Sequence, residues 1–508
     1  MNWKRKKPYR MERISQLLTL SLLTIGGILM PTQTNAAEMG LKPAIGSGTC
    51  ATLVMDRSSV VQHTAGVAIR VQPPIRAERC FGVAGNWERM LGLYLTVIDD
   101  GGTLRLWYGC RGSATFKGLA YAESTDGVIW QRPELGLRSF EGSAKNNLTD
   151  LPTMEGSVLR TTTGYAFVGN LFGQGVFRWT SPDGWRWTRD TEALLAFESD
   201  TQNVVFADPL SGRYAGYVRV WVPGSNRSRQ RKVGRWEADA LDRPVGLTPS
   251  GKDGPFPTRQ RLPHFIDEVP VVFACDKSDP PETDVYTLMP QVYPTRPPLY
   301  VAFPTFYNHA PEADNGPYQN DGVCVAHLAT SRDGRQWERF DRSPYVTAAL
   351  LGRKPGMVFL GLGLIERGDE LWQYGAVLDT THGQGDKRMA DGDGEIWRFV
   401  QKRDRLVGAV AKAGEGQLTF VAAPLTGLAL TLNLDAGTIG EARVALLDEN
   451  DQPLPGFALS DCQPVRGDSL RAPVKWKTHA NLRSLAGHRV LVHVALRSAT
   501  LFGYSQEK

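Results

Sequence analysis

The chain has 508 residues, with 58 Lys and Arg against 53 Asp and Glu, and it is rich in Gly (53), Pro (32) and Trp (13). Six of the cations (Lys4, Arg5, Lys6, Lys7, Arg10, Arg13) and one acid (Glu12) fall before residue 37, so the formal charge of +5 belongs to that segment and the rest is balanced. A balanced surface excludes nucleic acid as a partner, because phosphate binding needs a basic face.

The basic cluster is followed by an apolar run, Leu17 to Met30, and the small-residue stretch Thr34, Asn35 and Ala36. That order predicts a signal peptide at 1–36, cleaved after Ala36. The run is shorter than the ~20 residues of a spanning helix, so the expectation is a secreted or periplasmic monomer with no membrane span after cleavage. Six cysteines (Cys50, Cys80, Cys110, Cys275, Cys324, Cys462) follow. They permit up to three disulfides or a set of buried thiols, and no pair has zinc-site or redox spacing. No cofactor and no metal are expected.

Three segments share one pattern: Ser124, Asp126, Gly127 and Trp130; Ser181, Asp183, Gly184 and Trp187; Ser331, Asp333, Gly334 and Trp337. Each follows a short apolar strand. Asp-Gly supplies the conformation of a tight hairpin, and Ser and Asp oxygens bind local backbone amides. The repeat predicts sequential hairpins, and Asp126, Asp183 and Asp333 are assigned to turns. Between the copies, further strand groups run 203–239, 284–337 and 358–399. The reading is all-β: a five-bladed β-propeller over 37–411, its ring closed by a strand from the residues before Glu88, which include 51–55 and 67–71. From about Gly414 the texture changes to alternating or apolar runs between Asp, Gly and Pro turns. This predicts a C-terminal antiparallel β-sandwich over 412–508, where Trp476 is a core or a platform residue.

A set of short motifs in fixed order carries a resemblance. The set comprises Trp87 with Glu88, Leu104 to Tyr108, Tyr121 to Gly127 with Trp130 and Pro133, Asp200 to Phe206, Asp284 to Tyr286, and Ser331 to Gly334. The tail adds Pro455 to Cys462, Arg466 to Asp468, Trp476 with Lys477, and Leu485 to Gly487. The chain resembles exported proteins described as similar to glycoside hydrolase family 32, and the related family 43. The resemblance implies a five-bladed propeller acting on an oligo- or polysaccharide, with three carboxylates in a central funnel.

An oxocarbenium-like transition state needs one carboxyl that keeps its proton and one that loses it. The signature motifs of invertase-type members are absent, so candidates are chosen by position, as acids near the first strand of a blade. These are Glu88, Asp200 and Asp284, with Asp200 or Glu88 as nucleophile or base and Asp284 as the acid or its tuner. Sugar-binding candidates are Trp87, Glu123, Gln202, Asn203, Arg219, Arg235, Asp321, Tyr374 and His382, with Glu237 and Asn320 beside them. Competing readings are a glycoside phosphorylase, a sialidase-like enzyme, and a non-catalytic carbohydrate-binding or cell-surface protein.

Overall fold

The computed structural model describes residues 51–221, 231–246, 269–293, 298–310 and 320–507. The expected leader and Cys50 lie outside them. The chain is all-β, and among the described residues the one α-helix is a short segment, Gly385–Asp391. No described helix is long and apolar enough to cross a membrane.

Four strands come first: β1 (Ala51–Leu53), β2 (Val60–His63), β3 (Val67–Val71) and β4 (Arg76–Gly82). An antiparallel sheet of three follows, β5 (Met90–Asp100), β6 (Thr103–Arg111) and β7 (Lys117–Ser124). Two four-stranded sheets come next. The first holds β8 (Gly156–Thr161), β9 (Gly164–Leu171), β10 (Gly175–Ser181) and β11 (Thr188–Arg189). The second holds β12 (Val204–Asp208), β13 (Arg213–Trp221), β14 (Arg231–Ala238) and β15 (Val271–Phe273).

The next strands come in halves. β16 (Thr283–Thr287) and β17 (Pro290–Tyr293) divide at Met289, whose φ is 53°. β18 (Leu299–Ala302) and β19 (Thr305–His309) divide at Pro304, and β20 (Gly322–Ala326) and β21 (Ala329–Ser331) at Leu328. One set of halves pairs as β16, β19 and β20, the other as β17, β18 and β21. A single parallel bridge, Cys324 to Met357, joins β20 to β22 (Met357–Leu360). β23 (Ile365–Arg367), β24 (Glu370–Leu378) and β25 (Glu395–Lys402) follow, and β4 covers the free edge of β25.

The remaining strands are β26 (Val407–Phe420), β27 (Ala423–Pro424), β28 (Ala429–Asp435), β29 (Glu441–Leu447), β30 (Asp468–Pro473) and β31 (Arg489–Glu507). They join β1, β2 and β3 in a nine-stranded sheet organised around β31. Along β31 the apolar Val490, Val492, Val494 and Leu496 alternate inward, the period of a half-buried strand. Trp476 is a core residue here: it is buried, and its Nε1 donates to Val444 O at 3.0 Å. One apolar cluster runs from this sheet (Leu418, Leu432, Val494) into the halved strands (Val301, Phe303, Leu328), so the two regions share a core.

The strand covering β25 is therefore β4, whereas 51–53 and 67–71 pair with β31 and β26. β4 carries Arg76, Glu78 and Arg79, which obscures it as a strand. An outermost strand tolerates charges because only one edge is paired, and here Arg76 meets Glu370 while Glu78 meets Arg398. The expected boundary at 411/412 falls inside β26. The five described cysteines are free thiols.

The three Ser-x-Asp-Gly turns repeat in atomic detail. Oδ1 of Asp126, Asp183 and Asp333 accepts from two backbone amides and the preceding Ser hydroxyl, all at 2.8–3.1 Å. Each turn is also bound to a different sheet: the first to β24 and β25, the other two to the sheet that precedes them in the chain. Arg398, Arg105 and Arg235 donate to the carbonyls of Asp126, Asp183 and Asp333 at 2.9, 3.2 and 2.6 Å. Tyr374, Trp107 and Tyr217 donate to the carbonyls of Gly127, Gly184 and Gly334 at 2.9, 2.7 and 2.8 Å. The first strands of successive sheets also touch in order, β5 on β8, β8 on β12 and β12 on β17, while β22 touches β5.

Candidate functional site

Three acids stand where the chain leads into a first strand: Glu155 before β8, Asp200 before β12, and Asp284 in β16. The Asp200 carboxylate is 42% exposed. Arg219, near the end of β13, donates from Nη1 to Asp200 O (2.6 Å) and Oδ1 (3.1 Å), and from Nη2 to Thr201 Oγ1 (3.2 Å) and Tyr286 O (2.8 Å). One guanidinium thus fixes the Asp200 backbone to β16. Asp284 is buried, with Arg231 Nη1 at 2.7 Å and His309 Nε2 at 3.4 Å. Burial opposes its charge, but Arg231 and His309 outweigh burial and hold its carboxyl below the ordinary value.

Tyr286 is the hub. The guanidinium carbons of Arg219 and Arg231 lie 4.7 and 5.2 Å from its ring centroid. His382 Nε2 is 3.3 Å from the Tyr286 hydroxyl, and its Nδ1 is 3.0 Å from Asn320 O. Burial, then the charge of Arg231, pushes the His382 imidazole down to about 4, so it is neutral at ordinary pH. Asp321 Oδ1 accepts from Gly322 N and Gly383 N, both at 2.7 Å, and so anchors the His382 loop.

A second group adjoins Asp200. Asn170 Nδ2 donates to Glu155 Oε2 (3.0 Å) and to Glu198 Oε1 (2.6 Å), so two carboxyls share one amide. Lys117 Nζ sits 2.6 Å from Glu155 Oε1, and Gly173 N donates to Glu198 Oε2 at 2.9 Å. Burial raises the Glu198 carboxyl above its usual value, and the charges of Glu155 and Asp200 add to the rise against the pull of Asn170 and Gly173. This arrangement sets a carboxyl of raised pKa beside the exposed side chain of Asp200. No group of three or more His, Cys, Asp or Glu placed to hold a metal ion occurs among the described residues.

Asp200, Arg219, Asp284, Asp321 and His382 are thus brought together around Tyr286. Gln202 and Asn203 are near, but their amides serve the backbone: Gln202 Nε2 donates to Leu95 O (3.1 Å), and Asn203 Nδ2 to Glu155 O (2.9 Å), Ser199 O and Thr201 O. The other candidates stand elsewhere. Glu88 is 0% exposed in a 3-10 turn and accepts from Tyr108 Oη (2.5 Å), Arg132 Nη1 (3.0 Å) and Ala84 N (3.2 Å). Trp87 Nε1 donates to Asn147 Oδ1.

Glu123 accepts from Tyr121 Oη, six residues along β7 from Lys117 and hence about 20 Å away. Arg235 binds Asp208 as well as the Asp333 turn, and Tyr374 binds the Gly127 turn. Both hold sheets together. Glu237 pairs with Arg213, Arg235 and Arg335.

The sequence reading passed over Glu155, Glu198, Lys117, Asn170, Arg231, Tyr286 and His309. Glu155 had a signal, since it precedes β8 as Asp200 precedes β12, and the same positional rule selects it. Glu198 and Tyr286 stand two residues from Asp200 and Asp284, while Lys117, Asn170, Arg231 and His309 reach the site through strand pairing and have no local signature.

No protein-family profile matches the sequence, and no curated protein matches it. Solved structures are similar to the chain, among them glycoside hydrolases of families 43 and 32, the families to which the sequence motifs point. A thermostable family 43 glycoside hydrolase is 14% identical with a TM-score of 0.40, over 66% of this chain and 96% of its own. A family 32 β-fructofuranosidase of Bombyx mori, solved with sucrose, is 8% identical with a TM-score of 0.38, over 86% and 95%. An N-acetylgalactosamine deacetylase from F. plautii is 12% identical with a TM-score of 0.41, over 67% and 97%.

Proposed function

We propose that this is an exported glycoside hydrolase whose catalytic groups lie at one end of a five-bladed propeller, with a β-sandwich buttressing it. The strands support five groups of four. Gln131 bridges Glu123 beside β7 and Glu338 bridges Thr330 beside β21, completing the groups that lack a fourth named strand. The groups are then β5–β7 with Gln131, β8–β11, β12–β15, the halved strands with Glu338, and β24, β25 and β4 with β22 and β23, two pieces that pair along the same edge of β24. The sandwich is β1–β3 with β26–β31, and the leader 1–36 supports export.

The observation that carries the reading is the pairing of the exposed Asp200 carboxylate with the Glu155–Asn170–Glu198 group beside it. Hydrolysis needs two carboxyls in unlike protonation states flanking the scissile bond. Asp200 and Glu155 are the two carboxyls placed to flank it, with Glu198 joined to Glu155 through Asn170. Asp284 stays charged by pairing with Arg231 and positions Tyr286, while Glu88 supports the sheet. The substrate is an oligo- or polysaccharide.

The test is hydrolysis of fructan, arabinan and mannan panels by the mature protein, repeated with Asp200→Asn and Glu155→Gln. Each change is expected to lower turnover about a hundred- to ten-thousandfold. Turnover that survives both changes removes the site. A second reading, a non-catalytic sugar-binding protein, is favoured by the cations that accompany Glu155 and Asp284, and binding without cleavage on every glycan would establish it.

A further inference from the structure

The turn between β9 and β10 presents Phe172 to solvent with 52% of its surface exposed, among the most exposed large aromatics of the described residues. The turn is held from both sides. Gln174 N donates to Leu171 O at 2.9 Å, Gly173 takes a left-handed φ of 73°, and Gly173 N donates to the buried Glu198 carboxyl. The residue before the turn is Asn170, whose amide joins Glu155 and Glu198. The turn that carries the aromatic is therefore tied to the group that the proposed chemistry uses, at the end of the sheet where Gly156 pairs with Gly169 and Lys117 meets Glu155.

An apolar plate on a rigid turn, next to charged hydrogen-bonding groups, matches one kind of ligand well. A pyranose or furanose ring has an apolar face of C–H groups and a rim of hydroxyls. A Phe left half-exposed in a monomer loses apolar burial, and a turn pinned by a buried carboxyl keeps it from folding back onto the sheet. We infer that Phe172 is the stacking platform of a sugar subsite beside the Glu155–Asn170–Glu198 group, holding a ring of the substrate next to the bond to be cleaved. The inference rests on the proposed glycan-acting site and names a residue that sets its affinity.

The test separates binding from cleavage. Native gels cast with levan, arabinan or mannan are run with the Asp200→Asn protein, and with the same protein carrying Phe172→Ala or Phe172→Trp. The single variant is expected to be retarded by one of these polymers. Phe172→Ala should weaken apparent affinity about tenfold, Phe172→Trp should keep it, and melting temperatures should agree within the scatter of the method. Equal retardation of the Phe172→Ala protein overturns the inference, as does retardation of the parent by none of the three. Loss of retardation on Phe172→Ala, together with no cleavage of any of the polymers by the protein that retains Asp200, would uphold the platform and remove the hydrolase reading. Full cleavage with unchanged retardation would do the reverse.

Discussion

Asp200 and Asp284 lead into neighbouring first strands, yet their surroundings give them different work. Asp284 is enclosed with Arg231 and His309, whereas Asp200 keeps 42% of its side chain open. Removing one partner of a buried ion pair costs about 3–5 kcal/mol, so Asp284→Ala is expected to lower stability by that amount in urea unfolding. Because its folded carboxyl lies below the unfolded value, the stability it contributes is present above the unfolded pKa and is lost as pH falls through the folded one. Glu198 has the opposite sign. Its folded carboxyl is raised, so the native state weakens as pH climbs from the unfolded toward the folded pKa. Glu198→Gln lacks that penalty, and its melting temperature should gain on the parent as pH rises above the unfolded pKa of a glutamate. A constant difference across pH would refute the assignment. Glu88→Gln disturbs a fully bonded buried carboxyl and should cost about 1–3 kcal/mol while leaving glycan turnover near that of the parent.

At the scale of elements, the Ser-x-Asp-Gly turn is a joint between sheets as much as a hairpin. An Arg and an aromatic of another sheet bind its Asp and Gly carbonyls in all three copies. The glycine is required twice over at Gly334. Its φ is 67°, and a Cβ there would lie 2.6 Å from the Tyr217 hydroxyl that binds the turn. Left-handed backbone costs an L residue about 1–2 kcal/mol, and displacing Tyr217 breaks a buried hydrogen bond, so Gly334→Ala is expected to destabilise by roughly 2–3 kcal/mol. A thermal melt within a degree of the parent would show the joint to be unimportant. The same joints explain why Arg235 and Tyr374 read as site residues in the sequence: polar and aromatic side chains on middle strands suit a sugar as well as a neighbouring turn, and only the contact distinguishes them.

At the scale of the molecule, residues 51–82 cross between regions. β1, β2 and β3 belong to the sheet around β31, and β4 completes the sheet of β24 and β25. On the way, Thr330 Oγ1 donates to Met55 O, and Arg332 pairs with Asp56. A chain beginning at Val83 loses an outer strand and three strands of the shared core together, and it is expected to elute as aggregate with no cooperative melt. A sharp transition near that of the parent would contradict this. The strand-rich class and the three turns were legible from the sequence, because alternation and Asp-Gly geometry are local properties read within about ten residues. What covers β25, what occupies Glu88, and which acid stands beside Asp200 were decided only by the tertiary structure. Pairing between strands hundreds of residues apart depends on charge and shape at both edges, and a carboxyl takes its role from burial and neighbours that no single segment contains.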